Sequence, residues 1–294
     1  MNEIKDPNYV QAMKGLTYEP IERIAAGKKI KKTVLPTELV FMPKLNGIRV
    51  RWDVESQCLR TNNGIMVQSC DHIVKQILAT RWMKHLPIDG EMYHHDHDAY
   101  TFSYINGKVR RKSSSAETEF LQFHIFELAM FGNADFDKAK RLQLIEKLFQ
   151  AEENLGEHLI RVSYKHGYSF DVESYFRECL KDKYEGIMIS DRSGIYTTGK
   201  GKWMWKFKPV HSAEHKFVRL VPALEGRNMK TFAAIELMME DGQIFTCSGI
   251  SDKRRMEIFK NPPAVEAPIT IEFGDWSDTG IPIFPRYVDE RFDL

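Results

Sequence analysis

Short apolar runs separated by turn residues dominate the first two-thirds of the chain. Their alternation and β-branched content predict strands over 38–45, 48–54, 57–61, 88–94, 120–131, 159–164, 185–190 and 202–208. Between them, apolar residues recur at helical spacing over 70–85, 135–152 and 171–183. Asp135 and Asp171 stand where N-caps are expected, because a short carboxylate can accept from the unpaired amides of a first helical turn. Residues 1–33 are mostly polar, and Pro20 can open a helix containing 21–26 because its fixed φ suits a first helical position.

The pattern changes after Lys206-Phe207-Lys208-Pro209. Shorter strands follow at 215–222, 231–239, 242–248 and 268–274, with a hairpin turn at Asp241-Gly242 and a helical stretch at 251–259. Several short strands and one helix within about 85 residues predict a small closed β-barrel of the OB type. The expected organisation is α+β, with domain 1–209 built of antiparallel sheets and flanking helices and domain 210–294 an OB-fold barrel.

At 294 residues, 43% hydrophobic and 12% aromatic, the chain has ample material for packed cores. No run approaches the roughly 18 consecutive apolar residues of a membrane helix, and the opening MNEIKDPNYV lacks the apolar segment of a secretory signal. Together with four scattered cysteines and no C-x-x-C pair, this predicts a cytoplasmic protein with free thiols and no membrane contact. A net charge of +1 removes bulk basicity as a nucleic-acid signal, so any such site has to be a local patch. The densest basic run carries Lys108, Arg110, Arg111 and Lys112, with lesser runs at 28–32 and 253–255; each also reads as a solvated face.

Lys44-Leu45-Asn46-Gly47-Ile48-Arg49 admits two readings. Asn-Gly between apolar runs signals a type I′ hairpin, which leaves Lys44 a solvated strand residue. The spacing K-x-N-G-x-R is also nearly the K-x-D-G-x-R of enzymes that carry a nucleoside monophosphate covalently on lysine. Further on, Ile88-Asp89-Gly90-Glu91 places a carboxylate in a strand, alternation puts His124, Phe126 and Leu128 on one face, and Glu185-Gly186 opens an apolar strand with another acid. Over 203–208, alternation sends Trp203, Trp205 and Phe207 to one side and Lys206 and Lys208 to the other, and two parallel ammonium groups suit a polyanion such as triphosphate. His94-His95-Asp96-His97-Asp98 has the residue types of a metal cluster, but alternation splits it between two faces and a polar loop is the favoured reading.

In this order the segments resemble the covalent nucleotidyltransferases, most closely the small ATP-dependent DNA ligases of viruses and bacteriophages. The similarity runs from about residue 38 to the end of the chain. Lys44 to Arg49 resembles the nucleophile motif, Leu59-Arg60-Thr61 the short motif after it, Asp89-Gly90-Glu91 an acidic motif and Phe126-Glu127 the nucleoside-stacking segment. Glu185-Gly186-Ile187-Met188-Ile189 is similar to the ligase E-G-x-M-I, Lys206-Phe207-Lys208-Pro209 to K-x-K-P, and Phe284-Pro285-Arg286-Tyr287-Val288 with Arg291 to the last motif. The sequence departs from the pattern at Asn46, where the family has Asp, at Ser190, where most ligases carry Arg or Lys, and at Ile283 and Asp289, which replace basic residues.

The resemblance implies a nucleotidyltransferase (adenylation) domain followed by the OB-fold, and a three-step reaction. Lys44 attacks the α-phosphate of ATP to give lysyl-AMP, AMP passes to a 5′-phosphate, and a 3′-hydroxyl displaces AMP to seal a nick in duplex DNA during repair, replication or recombination. It implies catalytic roles for Lys44, Lys206 and Lys208, and nucleotide contacts from Met42, Arg49, Arg60, Glu91, Phe126, Glu185, Lys206, Lys208, Arg286 and Arg291, with Phe126 stacked on adenine. Glu91 and Glu185 would hold Mg²⁺, and Lys108, Arg110, Arg111 and Lys112 would meet DNA phosphates. A free lysine is only about one part in a thousand neutral near pH 7.5, a handicap of roughly 4 kcal/mol, so cationic neighbours and burial against 40–42 are expected to help the nucleophile shed its proton. Arg286 and Arg291 would reach the pyrophosphate only if the OB domain swings over the cleft. A monomer is the default. The alternative readings are an RNA ligase, an mRNA capping guanylyltransferase, or an inactive nucleic-acid-binding relative.

Overall fold

The structure, a computed structural model, describes residues 5–6, 8–18, 23–25, 28–30, 33–152 and 155–290. The chain divides into two compact units, with the break between Phe207 and Lys208; the short antiparallel pair Arg23–Ala25 and Lys28–Ile30 goes with the second. That pair stands where the sequence predicts a helix over 21–26, since a strand partner a few residues away overrides helical propensity. Pro20 and Ile21 lie outside the described residues.

The first unit is built on two five-stranded sheets. One runs in the order Lys14–Thr17, Lys200–Phe207, Gly186–Asp191, Leu39–Lys44, Lys165–Gly167; the other runs Cys58–Thr61, Ile48–Asp53, Ile88–Tyr93, Gln122–Leu128, Leu159–Arg161. Both are mixed rather than purely antiparallel, because Lys14–Thr17 lies parallel to Lys200–Phe207 and Leu159–Arg161 parallel to Gln122–Leu128. A parallel neighbour needs a long crossover, which the helix Lys138–Ala151 supplies for the second sheet.

Leu39–Lys44 is buried on both faces, which explains its continuous apolar run. Leu39 and Phe41 pack with Val172, Tyr175 and Cys179 of the helix Val172–Lys181, while Val40 and Met42 join the main core with Val50, Trp52, Met92 and Phe123. Each large apolar side chain so enclosed contributes about 1.5–3 kcal/mol. The strand is thereby clamped between a helix and the opposing sheet.

Asn46-Gly47 is not a hairpin turn. The strands before and after it belong to different sheets, and neither residue has the positive φ that a type I′ turn requires. Gly47 is glycine for another reason: a Cβ there would sit 2.2 Å from the Met92 carbonyl oxygen and 2.9 Å from Glu91 Cγ. The backbone passes close over the second sheet as it changes layers.

The helix expected over 135–152 begins at Lys138, because Asp137 and not Asp135 accepts from the Lys140 amide. Asp171 precedes its helix as expected, but its carboxylate accepts from the Tyr168 amide of the turn before it. The helix Phe102–Val109, capped by Thr101, was not legible from apolar spacing, since it buries only Ile105 and Val109.

The second unit holds an antiparallel sheet in the order Ile244–Cys247, Phe232–Met238, His211–Pro222, Pro268–Phe273, Arg286–Glu290, with the helix Asp252–Lys260 between its third and fourth strands in sequence. Its core gathers Phe217, Ile235, Leu237, Ile258, Ile269 and Tyr287. The closed barrel expected from the sequence is not present among the described residues: the edge strands meet at a single parallel bridge, Ser248 to Arg286. Arg255, read in the sequence as part of a basic run, is buried and donates to the carbonyls of Phe232 and Ala233. No helix among the described residues is long and apolar enough to cross a membrane.

Gly47→Ala is expected to lower stability by about 1–3 kcal/mol, the usual cost of forcing a group into filled space. Urea unfolding of the variant beside the parent checks this.

Candidate active site

Three strands of the first sheet turn one face toward the second sheet, and their register decides which side chains lie together. Met42, Met188 and Lys206 are cross-strand neighbours in one row, Val40, Ser190 and Met204 in the next, and Lys44 stands opposite Gly186. Arg49, Glu91, Phe126 and Glu127 oppose them, and with Met42, Lys44, Met188, Ser190, Met204 and Lys206 they line a cavity of about 300 Å³. Met13, Lys14 and Gly15 close one side. A cleft of this size suits a small ligand.

Lys44 reaches this cavity as a strand-end residue, with 21% of its side chain exposed. Its ammonium donates to Glu185 Oε2. The Glu185 amide also donates to the Lys44 carbonyl at 3.1 Å, so backbone pairing places the two side chains side by side. The direct partner of Lys44 is thus a carboxylate, beside the cationic neighbour that the sequence leads one to expect. Lys206 lines the same cavity, while Trp205 and Phe207 turn to the opposite core, Phe207 stacking on Phe176 at 3.9 Å between centroids. Alternation thus separated lysine from aromatics correctly. Lys208 belongs to the second unit and is not among the residues lining the cavity.

Arg49 lines the cavity but is already engaged. Its Nε donates to Asp89 Oδ1 at 3.0 Å, Nη1 to the Met13 carbonyl at 2.6 Å and Nη2 to the Tyr196 hydroxyl at 3.2 Å, while its guanidinium lies 5.3 Å from the Phe126 ring centroid. Arg60 is buried away from the cavity, held by Asp53 at 2.7 Å and the Gly64 carbonyl at 3.3 Å. It is not among the residues that line the cavity.

Phe126 owes its position to a β-bulge: Asp89 pairs with Glu127 and Gly90 with Ile125, leaving Phe126 unpaired. The bulge lets Phe126 and Glu127 both line the cavity, which strict alternation forbids. Glu127 is fully buried and accepts from Lys138 Nζ at 2.8 Å and from Arg141 Nε at 2.8 Å and Nη2 at 3.2 Å. Burial alone would raise its pKa, but the two cations override it and hold the carboxyl at about 2. Glu91 behaves oppositely: burial pushes it up to about 7, with Asp89 and Glu185 adding to the rise and Lys44 and Arg49 opposing it.

Sequence reasoning missed Met13 to Gly15, Lys138, Arg141 and Tyr196. The one available signal was Lys138 and Arg141, three apart at a helix start and so on one face. Among the basic run, Lys108 pairs with Glu117 at 2.6 Å and Arg111 with the same carboxylate at 2.7 Å; Arg110, Arg111 and Lys112 are all exposed. Arg286 is exposed in the second unit, and Arg291 lies outside the described residues. The histidine cluster is a loop, as expected: His95 Nδ1 and His97 Nε2 both meet the Tyr93 hydroxyl, at 2.7 and 2.9 Å. No group of three or more potential metal ligands forms among the described residues.

A lysine presented to a cleft between two sheets, flanked by acids and a second lysine, is the arrangement of a nucleotide-transferring enzyme. The chain belongs to the ATP-dependent DNA ligase domain family, whose model matches residues 22–208. That family joins DNA using ATP, through AMP carried covalently on the enzyme. Among solved structures, a Lig E DNA ligase, described as binding DNA with a minimal scaffold, is similar at a TM-score of 0.74 and 22% identity over 96% of this chain and 99% of that one. The ligase domain of LigD from M. tuberculosis gives 0.51 at 16% identity over 97% and 96%, and the Chlorella virus DNA ligase-adenylate 0.50 at 16% over 96% and 99%. At these identities the likeness speaks for the fold. No curated protein matches the chain.

A folded pKa near 2, below the ordinary 4.5, means that the Glu127 contribution to stability is complete above pH 4.5 and is lost as pH falls toward 2. Glu127→Gln is expected to cost about 3–5 kcal/mol at neutral pH and to flatten this acid limb. Denaturant titrations across the acid range measure both.

Proposed function

We propose that the cavity takes ATP and that Lys44 is the group adenylated, making this chain a nick-sealing DNA ligase with the residues assigned below. The carrying observation is the Lys44 side chain at the cavity mouth, hydrogen-bonded to Glu185 and in the same lining as Lys206, Glu91 and Phe126. Lys44 Nζ bonds to the α-phosphorus as the bond from phosphorus to the pyrophosphate oxygen breaks. Glu185 orients the amine and stands beside the proton that has to leave. Lys206 faces the phosphates as a fixed counter-charge, worth most where water is excluded. Phe126 offers its ring to the base.

Two carboxylates beside a polyphosphate are the hard oxygen donors Mg²⁺ uses, and Glu91 and Glu185, both within electrostatic reach of Lys44, fit that role. When bound, the ion would neutralise phosphate charge. Arg49 is assigned to positioning, since Asp89, Met13 and Tyr196 occupy its donors.

For the second unit we favour an OB-fold. The strand order, third-second-first-fourth-fifth within the five-stranded sheet with a helix before the fourth, supports this, as does the parallel bridge from Ser248 back to Arg286. The division into domains near residue 209, a DNA contact through Lys108, Arg110, Arg111 and Lys112, and action as a monomer complete the proposal.

Intact-mass measurement after exposure to ATP and magnesium is expected to show one added adenylate, mapped to Lys44 and absent in Lys44→Ala. An adduct that persists in the variant would overturn the assignment. Because Glu91 ionises only as pH rises through about 7, adenylation is expected to climb across that pH and Glu91→Gln to be slow and flat. A pH–rate series on both proteins reads this out.

A further inference from the structure

Lys138 is surplus to the carboxylate it touches. Arg141 alone bonds both Glu127 oxygens, at 2.8 and 3.2 Å, yet a second cation is buried beside them, with only 4% of the Lys138 side chain exposed. Two cations facing one acid in a cavity wall are costly unless something uses them, and burial, with Arg141 adding to it, pulls the Lys138 pKa below its ordinary value. Asp89, another acid that pulls on Lys138 electrostatically, is already forked by Arg49.

The donors of Lys138 show what is left over. Glu127 Oε2 accepts one N–H at 2.8 Å, the Phe126 carbonyl is a long 3.5 Å away, and the remaining contact is Met42 Sδ at 3.9 Å, a weak acceptor. Lys138, Phe126, Glu127 and Met42 all line the cavity. A phosphate would meet the Glu127 carboxylate here, so a neutral acceptor on a planar base is the better match. Adenine carries such acceptors at its ring nitrogens.

We propose that Lys138 reads the purine: its N–H donates to one ring nitrogen of adenine lying against Phe126, which makes it a specificity-determining residue. This rests on the ATP reading of the cavity. A base lacking that nitrogen leaves a buried ammonium hydrogen without a partner, and such sites discriminate strongly.

The test compares adduct formation by the full chain with ATP, 1-deaza-ATP, 3-deaza-ATP and 7-deaza-ATP, in the parent, Lys138→Met and Lys138→Arg. One deaza analogue is expected to lower kcat/KM in the parent by about ten- to hundredfold, the range of a charge-assisted hydrogen bond. In Lys138→Met that penalty should shrink to within about twofold while Lys138→Arg keeps part of it, a pattern that a merely structural lysine would not produce. Equal rates for all four nucleotides in the parent, or a penalty that survives in Lys138→Met, overturn the assignment and leave the ligase reading intact. No adduct from any nucleotide overturns both. Should Lys138→Met fail to fold, the parent series and Lys138→Arg decide.

Discussion

Arg49, on the second sheet, forks onto Asp89 through Nε and Nη2, while Nη1 donates to the Met13 carbonyl beside the edge strand of the first sheet and Nη2 also to the Tyr196 hydroxyl. Taking a guanidinium out of water is costly unless its charge is paired, and Asp89 supplies that pairing here. The same side chain ties the second sheet to the segment that leads into the first sheet's edge strand. Arg49 stands in the cavity lining beside that tie. Neighbouring Arg51 strengthens the tie by donating to the Val10 carbonyl at 2.7 Å and stacking under the Tyr9 ring at 4.3 Å. Met13, Lys14 and Gly15 of the N-terminal segment thus form a wall of the site.

With the sheets fixed, the strand Leu39–Lys44 delivers the reactive candidate. A strand buried on both faces has no freedom to slip, since a shift of one residue would exchange Phe41 with Met42 between two different cores. Lys44 inherits that precision at the strand end, and Gly186 opposite it brings Glu185 alongside. The close crossing at Gly47 then carries the chain into the second sheet, so both walls of the cavity are joined within a few residues of the lysine.

The same kind of side chain plays two parts around this cavity. Glu127 has two cations and stays ionised far into acid, which makes it a fixed element of the wall. Glu91 has burial without a dedicated counter-ion and is poised near neutrality, so its charge can respond to what binds. Environment, not residue type, separates the structural acid from the available one.

Much of this was legible in the chain itself. The apolar runs located the strands; the order of Lys44, Glu91, Phe126, Glu185 and Lys206 pointed to one chemistry; and alternation correctly set Lys206 against Trp205 and Phe207. These signals are local, governed by strand period and by residue type at fixed spacing. What they could not reach are the non-local choices. The Asn46-Gly47 turn, the bulge at Phe126, the withdrawal of Arg60 to Asp53 and the triad of Glu127, Lys138 and Arg141 all depend on which distant segment arrives next to them. Sequence by itself determined which side chains were on offer; tertiary packing alone decided which of them share a cavity and in what charge state, because desolvation and ion pairing act only between groups that folding has already brought together.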